Sequence, residues 1–184
     1  MVIEPLSGDR EHVTIKNSDN TSRPVVKGNS VHYENVGGKD IDLTITYAPS
    51  KEVKGALEIS STIVNNAEGW VIISMEGPSI NNIKTQPDDD FILPVGTGWK
   101  LPLKHLASSQ ENKNMNKPWK WDARKEVYTY TSSYPSNSCT MQWAVLQGEN
   151  GGMYFGCHDS AFSFKYLRAS YDPAAQEAYI GFKN

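Results

Sequence analysis

The stretch Tyr134–Asp159, YPSNSCTMQWAVLQGENGGMYFGCHD, decides how this chain folds. Two apolar runs, Thr140–Gln147 and Gly152–Asp159, flank the cluster Gly148-Glu149-Asn150-Gly151. Gly and Asn accept positive φ at little cost, so Asn-Gly beside further glycine marks the turn of a β-hairpin. With those four residues in the loop, Gln147 faces Gly152, Trp143 faces Gly156 and Gln142 faces Cys157. One face then carries Gln142, Ala144, Leu146, Met153, Phe155 and Cys157. The other carries Met141, Trp143, Val145, Tyr154 and His158. A slip of one residue would exchange the two sets. Both faces are largely apolar, whereas a hairpin with one wet side alternates apolar with polar. Both are therefore expected to be covered, one by a sandwich core and the other by a further layer or a neighbouring domain. Met141, Trp143 and Tyr154 become candidates for a domain interface, with Gly156 leaving room for the Trp143 ring.

Outward from the hairpin the chain reads as β almost throughout. Ile41, Leu43, Ile45 and Tyr47 alternate with Asp42, Thr44 and Thr46, the period-2 pattern of a strand with one wet face. Strands are also expected at 11–16, 30–34, 56–64, 70–75, 126–131, 161–170 and 176–182, with 56–64 and 70–75 closing a second hairpin around Asn65–Gly69. Phe91–Val95 reads as a short strand and Leu103–Ser108 as one or two helical turns. Residues 108–125 are polar and nearly free of aliphatics, and read as a long loop, of the kind that often carries function. Turn signals at near-regular spacing give an all-β fold, an antiparallel β-sandwich of two stacked sheets with little helix. Residues 1–184 are expected to form a single sandwich domain.

The chain has 184 residues, a net charge of −3 and no basic stripe, which argues against a nucleic-acid partner. No apolar run is long enough for a membrane-spanning helix, and no membrane partner is expected. MVIEPLSGDREHV lacks a basic n-region and an apolar h-region, so it is not read as a secretory leader. The chain is expected to be a piece of a longer multidomain protein. In the hairpin register Cys139 lies three positions off Cys157, so the two are expected to remain thiols.

Few residues point to chemistry. Asp88-Asp89-Asp90 invites calcium, but lacks the ligand ladder of a Ca²⁺ loop and reads as a solvated acidic turn. Exposed aromatic rings stack on sugars, because ring faces are negative and pyranose C–H bonds weakly positive. Trp119 and Trp121, in PWKWD, are carbohydrate-contact candidates on this ground, set against the commoner fate of large apolar side chains, burial. They are not expected to form one platform together. Tyr134 and His158 complete the candidate carbohydrate-binding set. The four histidines, His12, His32, His105 and His158, have no metal spacing, and no Ser or Cys nucleophile motif occurs. No catalytic residue, metal or cofactor is assigned.

The hairpin, with WVIISMEGPSINNI (70–83) and ILPVGTGWKLP (92–102), resembles an N-terminal β-sandwich of large glycoside hydrolases from carbohydrate-degrading gut bacteria. In that family a sandwich of the galactose-mutarotase-like, supersandwich type precedes a (β/α)8 barrel that carries the catalytic carboxylates. The resemblance covers roughly residues 54–159. It implies a non-catalytic domain, packing on a C-terminal catalytic barrel and shaping its sugar cleft, in a secreted or periplasmic parent protein. A stand-alone carbohydrate-binding module and an aldose-epimerase-like enzyme are the alternatives. The last requires a His acid and a carboxylate base converging on the anomeric centre.

Overall fold

The structure is a computed structural model, described here for residues 1–7, 12–108, 119–136, 139–158 and 163–184, the side chains of 107 and 108 excepted. Among these residues it is all-β and antiparallel, with one short α-helix, α1 (Leu103–Ser108), at the position read from the sequence, and two single 3-10 turns, Asn17–Asp19 and Val36–Gly38. The polar stretch 109–118 and Asp159 lie outside the described residues. The chain divides into two compact units, Met1–Pro78 and Ser79–Asn184.

The first unit holds two sheets. One has the order β2 (Val13–Thr14), β1 (Val2–Pro5), β7 (Trp70–Ser74). The other has the order β3 (Val25–Lys27), β4 (Ser30–Tyr33), β5 (Ile41–Pro49), β6 (Leu57–Asn65). The alternation along β5 sorts as the sequence indicates. Ile41, Leu43 and Ile45 share a face, while on the other His32 Nδ1 and Thr44 Oγ1 lie 2.9 Å apart, as do the Ser30 and Thr46 hydroxyls. Ile3, Ile15, Val36 and Ile41 form the buried cluster, with Leu43, Ile63, Trp70 and Ile72 packed against it. The expected hairpin of 56–64 with 70–75 does not form. β6 pairs with β5 and β7 with β1, so the two runs enter different sheets. The intervening turn is a connection between layers, with Asn65 Nδ2 donating to the Trp70 carbonyl at 2.9 Å.

The second unit is a sandwich of a four-stranded and a five-stranded sheet. The first has the order β10 (Trp99–Pro102), β9 (Asp90–Leu93), β13 (Trp143–Gly148), β14 (Gly151–Gly156). The second has the order β11 (Trp119–Asp122), β12 (Val127–Tyr134), β15 (Lys165–Asp172), β16 (Glu177–Lys183), β8 (Glu76–Lys84). Phe91, Leu93, Ala144, Leu146 and Phe155 from the first meet Tyr130, Leu167, Ile180 and Phe182 from the second in one core. Phe155 and Phe182 stack across the layers, their rings 5.4 Å apart.

The decisive hairpin has the register read from the sequence, with Trp143 opposite Gly156 and Gln147 opposite Gly152. The ladder runs one pair further, to Gly148 opposite Gly151, leaving Glu149-Asn150 as a two-residue turn. Gly151 there has φ 135°, a conformation that costs glycine little. The face with Ala144, Leu146 and Phe155 is buried as expected. The face with Met141, Trp143, Tyr154 and His158 is not fully covered. Tyr154 is 54% exposed and Met141 44% exposed, while Trp143 is half-buried. Apolar composition therefore overstated the cover over this side. Cys139 is buried and Cys157 half-buried, both as thiols.

Candidate functional site

The open face of the hairpin carries a row of rings. Trp143 projects from β13 and Tyr154 from β14, brought together by the ladder that sets Trp143 against Gly156. Glycine at 156 makes room for this arrangement. A Cβ would stand 2.6 Å from the Tyr154 hydroxyl oxygen, so the phenol ring lies across the bare backbone. Trp143 and Tyr154 stack with centroids 6.5 Å apart and planes 29° apart. Tyr154 and His158 stack at 6.0 Å and 24°, with the Tyr154 hydroxyl 3.3 Å from His158 Nε2. The Trp143 indole N–H donates to the Met141 sulfur at 3.2 Å. Partial burial pushes the Tyr154 phenol pKa up, so it stays neutral. Because β14 is an edge strand of its sheet, the row stands at the sandwich margin.

Trp119 and Tyr134, named as candidates for sugar contact, lie in the core, for Trp119 the commoner fate set against that candidacy. Residues two apart on a strand share a face, so Trp119 and Trp121 lie on the same side of β11, but Trp119 is buried and the two form no exposed platform together. Trp119 packs between Phe91 at 5.2 Å and Tyr130 at 5.6 Å. Trp121 rests on Tyr128 at 4.7 Å and remains 39% exposed at the sheet edge. Tyr134 lies on the inner face of β12 opposite Lys165, with its ring 5.6 Å below the Lys165 ammonium. Of the four carbohydrate candidates, His158 alone joins the aromatic row.

The buried Lys165 was not singled out from the sequence. It donates to Gln142 Oε1 at 2.9 Å and to the Ser163 carbonyl at 2.8 Å, which compensates its removal from water. Its sign was present in the alternation Lys165, Leu167, Ala169, Tyr171, all of which are buried. The Tyr130 and Ser132 hydroxyls and the Trp119 indole N–H are buried with no hydrogen-bond partner among the described residues. Burial pushes the Tyr130 phenol to about 12.

An open cleft of about 960 Å³ runs between the acidic turn and the hairpin tip, lined by Asp88, Asp89, Asp90, Lys100, Gln147 and Glu149 among others. Its aspartates are engaged. Asp90 pairs with Lys100 at 2.9 Å and Asp88 with Lys104 at 2.7 Å. That hydrogen bond and the charge of Lys104 hold the Asp88 carboxyl below its ordinary value, and Asp88 raises Lys104 in return. Asp89 accepts the Gln86 N–H at 2.8 Å and lies over Gly148, where a Cβ would come within 2.6 Å of its oxygen. Among the described residues no three His, Cys, Asp or Glu side chains converge as a metal site. No family model, curated protein or solved structure matches this chain.

Proposed function

We propose that the chain is a non-catalytic β-sandwich portion of a carbohydrate-active enzyme, and that its open hairpin face packs on the catalytic barrel of the parent protein. The observation that supports this reading is the side-chain content of that face, where Met141, Trp143, Tyr154 and His158 form a continuous, partly exposed row. Trp, Tyr and Met are the side chains enriched at protein interfaces, and exposed apolar patches on folded domains mark contact sites.

One observation favours a second reading, direct sugar contact. Tyr154 is an exposed ring beside Gly156, and the His158 imidazole next to it offers hydrogen bonds to hydroxyls. Two variants test both readings, Trp143→Ala and Tyr154→Ala. Packing on the barrel predicts that each weakens association with a separately expressed barrel of the parent protein, with no saccharide response in the isolated chain. Sugar contact predicts a tryptophan-fluorescence change on titration with gluco-, galacto- and manno-oligosaccharides, lost in Tyr154→Ala. An isolated chain that binds neither barrel nor saccharide would refute the proposal.

A further inference from the structure

The inner face of the four-stranded sheet in the first unit is apolar apart from Ser61 and Asn65, and is covered along only part of its length. Tyr33, Leu43 and Ile63 pack against the buried cluster around Ile41. The next row across the sheet, Val26, Val31, Ile45 and Ser61, is placed by register on that same face, followed by Tyr47 beside Ile59 and Pro49 beside Leu57. Along these rows Val26 is 68% exposed and Leu57 60% exposed, with Tyr47 also exposed. The strand bordering this bare half, β6, is an edge of its sheet. Edge strands are ordinarily protected by shortness, lysine, proline or a bulge. The opposite edge, β3, is three residues long and ends in Lys27. β6 has nine residues, Leu57–Asn65, no proline or lysine, Glu58 as its single charge, and an unbroken register with β5.

We infer that β6 pairs antiparallel with β6 of a second copy of this chain, about a two-fold axis through Ser61. The middle of the strand matches itself in that register, apolar against apolar and hydroxyl against hydroxyl. Ser61 meets its own counterpart, Ile59 meets Ile63, Leu57 meets Asn65 and Ser60 meets Thr62. A two-fold axis normal to the sheet keeps inner faces on one side, so the apolar surface continues from copy to copy. Antiparallel pairing also reverses the strand. It brings the covered end of one copy, at Leu43 and Ile63, beside the bare end of the other, at Tyr47, Leu57 and Ile59. Charge does not oppose the pairing, because Glu58 faces Val64 and the two Glu58 residues stand about 20 Å apart along the strands.

Light scattering coupled to size exclusion, with the intact chain, tests this directly. The expected result is a dimer mass that falls to the monomer mass in Ser61→Lys, since two like charges would then meet at the axis. Ser61 is exposed in the single copy, so the substitution leaves the fold intact, and an unchanged circular dichroism spectrum checks that. Oxidation of Ser61→Cys should give a disulfide-linked dimer, because paired strand positions fall within bonding reach, whereas Glu58→Cys should give none. A monomer mass for the unaltered chain would overturn the inference. So would a dimer that survives Ser61→Lys, or equal cross-linking at positions 58 and 61.

Discussion

The two units are both antiparallel, yet they stabilise themselves differently. Among the described residues the second gathers seventeen buried side chains into one core, with Trp119, Phe91, Tyr130, Phe155 and Phe182 among them. Among its described residues the first gathers four, Ile3, Ile15, Val36 and Ile41, and leaves a row of aliphatics and Tyr47 outside that cluster. Hydrophobic stabilisation scales with apolar area withdrawn from water. The first unit should therefore be the less stable and open first. What each leaves bare also differs. The second exposes a row of stacked rings on a hairpin, and the first an aliphatic face bordered by an unprotected strand.

The largest effect should come from the core of the second unit. Trp119→Ala removes a ring held between Phe91 and Tyr130, and should destabilise that unit by about 3–5 kcal/mol. Urea unfolding followed by hydrogen exchange should show the loss confined to residues 79–184. Ile41→Ala should cost about 2–4 kcal/mol, within the range for a buried Ile truncation. In the small first core that should suffice to unfold residues 1–78 while the second unit keeps its protection. A single cooperative transition in both variants would break the comparison.

A pH effect comes next. Tyr130 titrates near 10 when unfolded and at about 12 in place, so its proton is lost first by the unfolded chain. The associated stability is present below pH 10 and is lost as pH rises through the window from 10 to 12. That two-unit shift corresponds to roughly 2–3 kcal/mol. Tyr130→Phe should leave stability at pH 7 unchanged or slightly higher, since it deletes a buried unpartnered hydroxyl, and should flatten the alkaline limb. An alkaline limb identical to that of the unaltered chain would contradict this assignment.

Trp143→Ala should cost only about 1 kcal/mol, well below a core truncation, because the indole is half-buried beside exposed Tyr154. A loss above about 3 kcal/mol would place Trp143 with the core. The smallest effect belongs to Asp88→Asn. Its carboxyl is fully exposed, so the depressed pKa brings no measurable loss of thermal stability at pH 7. Any contribution of the pair would be present above the ordinary carboxylate pKa and lost as pH falls through the lowered one.

Local chemistry made the strands and the hairpin register legible. Asn150-Gly151 marked the turn, and counting back from it set Trp143 against Gly156. Period-2 alternation identified β5 and sorted its faces. Those signals are local because φ/ψ preference and side-chain alternation act over a few residues. Which strands became neighbours was less legible. Residues 57–65 and 70–74 are joined by a four-residue turn yet enter different sheets: 57–65 pairs with the strand before it, 41–49, and 70–74 with the distant 2–5. Trp119 and Tyr134 were open candidates on composition alone. Their strands turned them into the core, where a large ring removes the most apolar area from water. Tyr154 stays outside because alternation along β14 sets it on the face opposite buried Phe155, and Gly156 provides the space for its ring. The chain by itself determined the strands, the turns and the hairpin pairing. Only the tertiary structure decided which apolar faces are covered, since cover depends on surfaces brought together from far apart in the sequence.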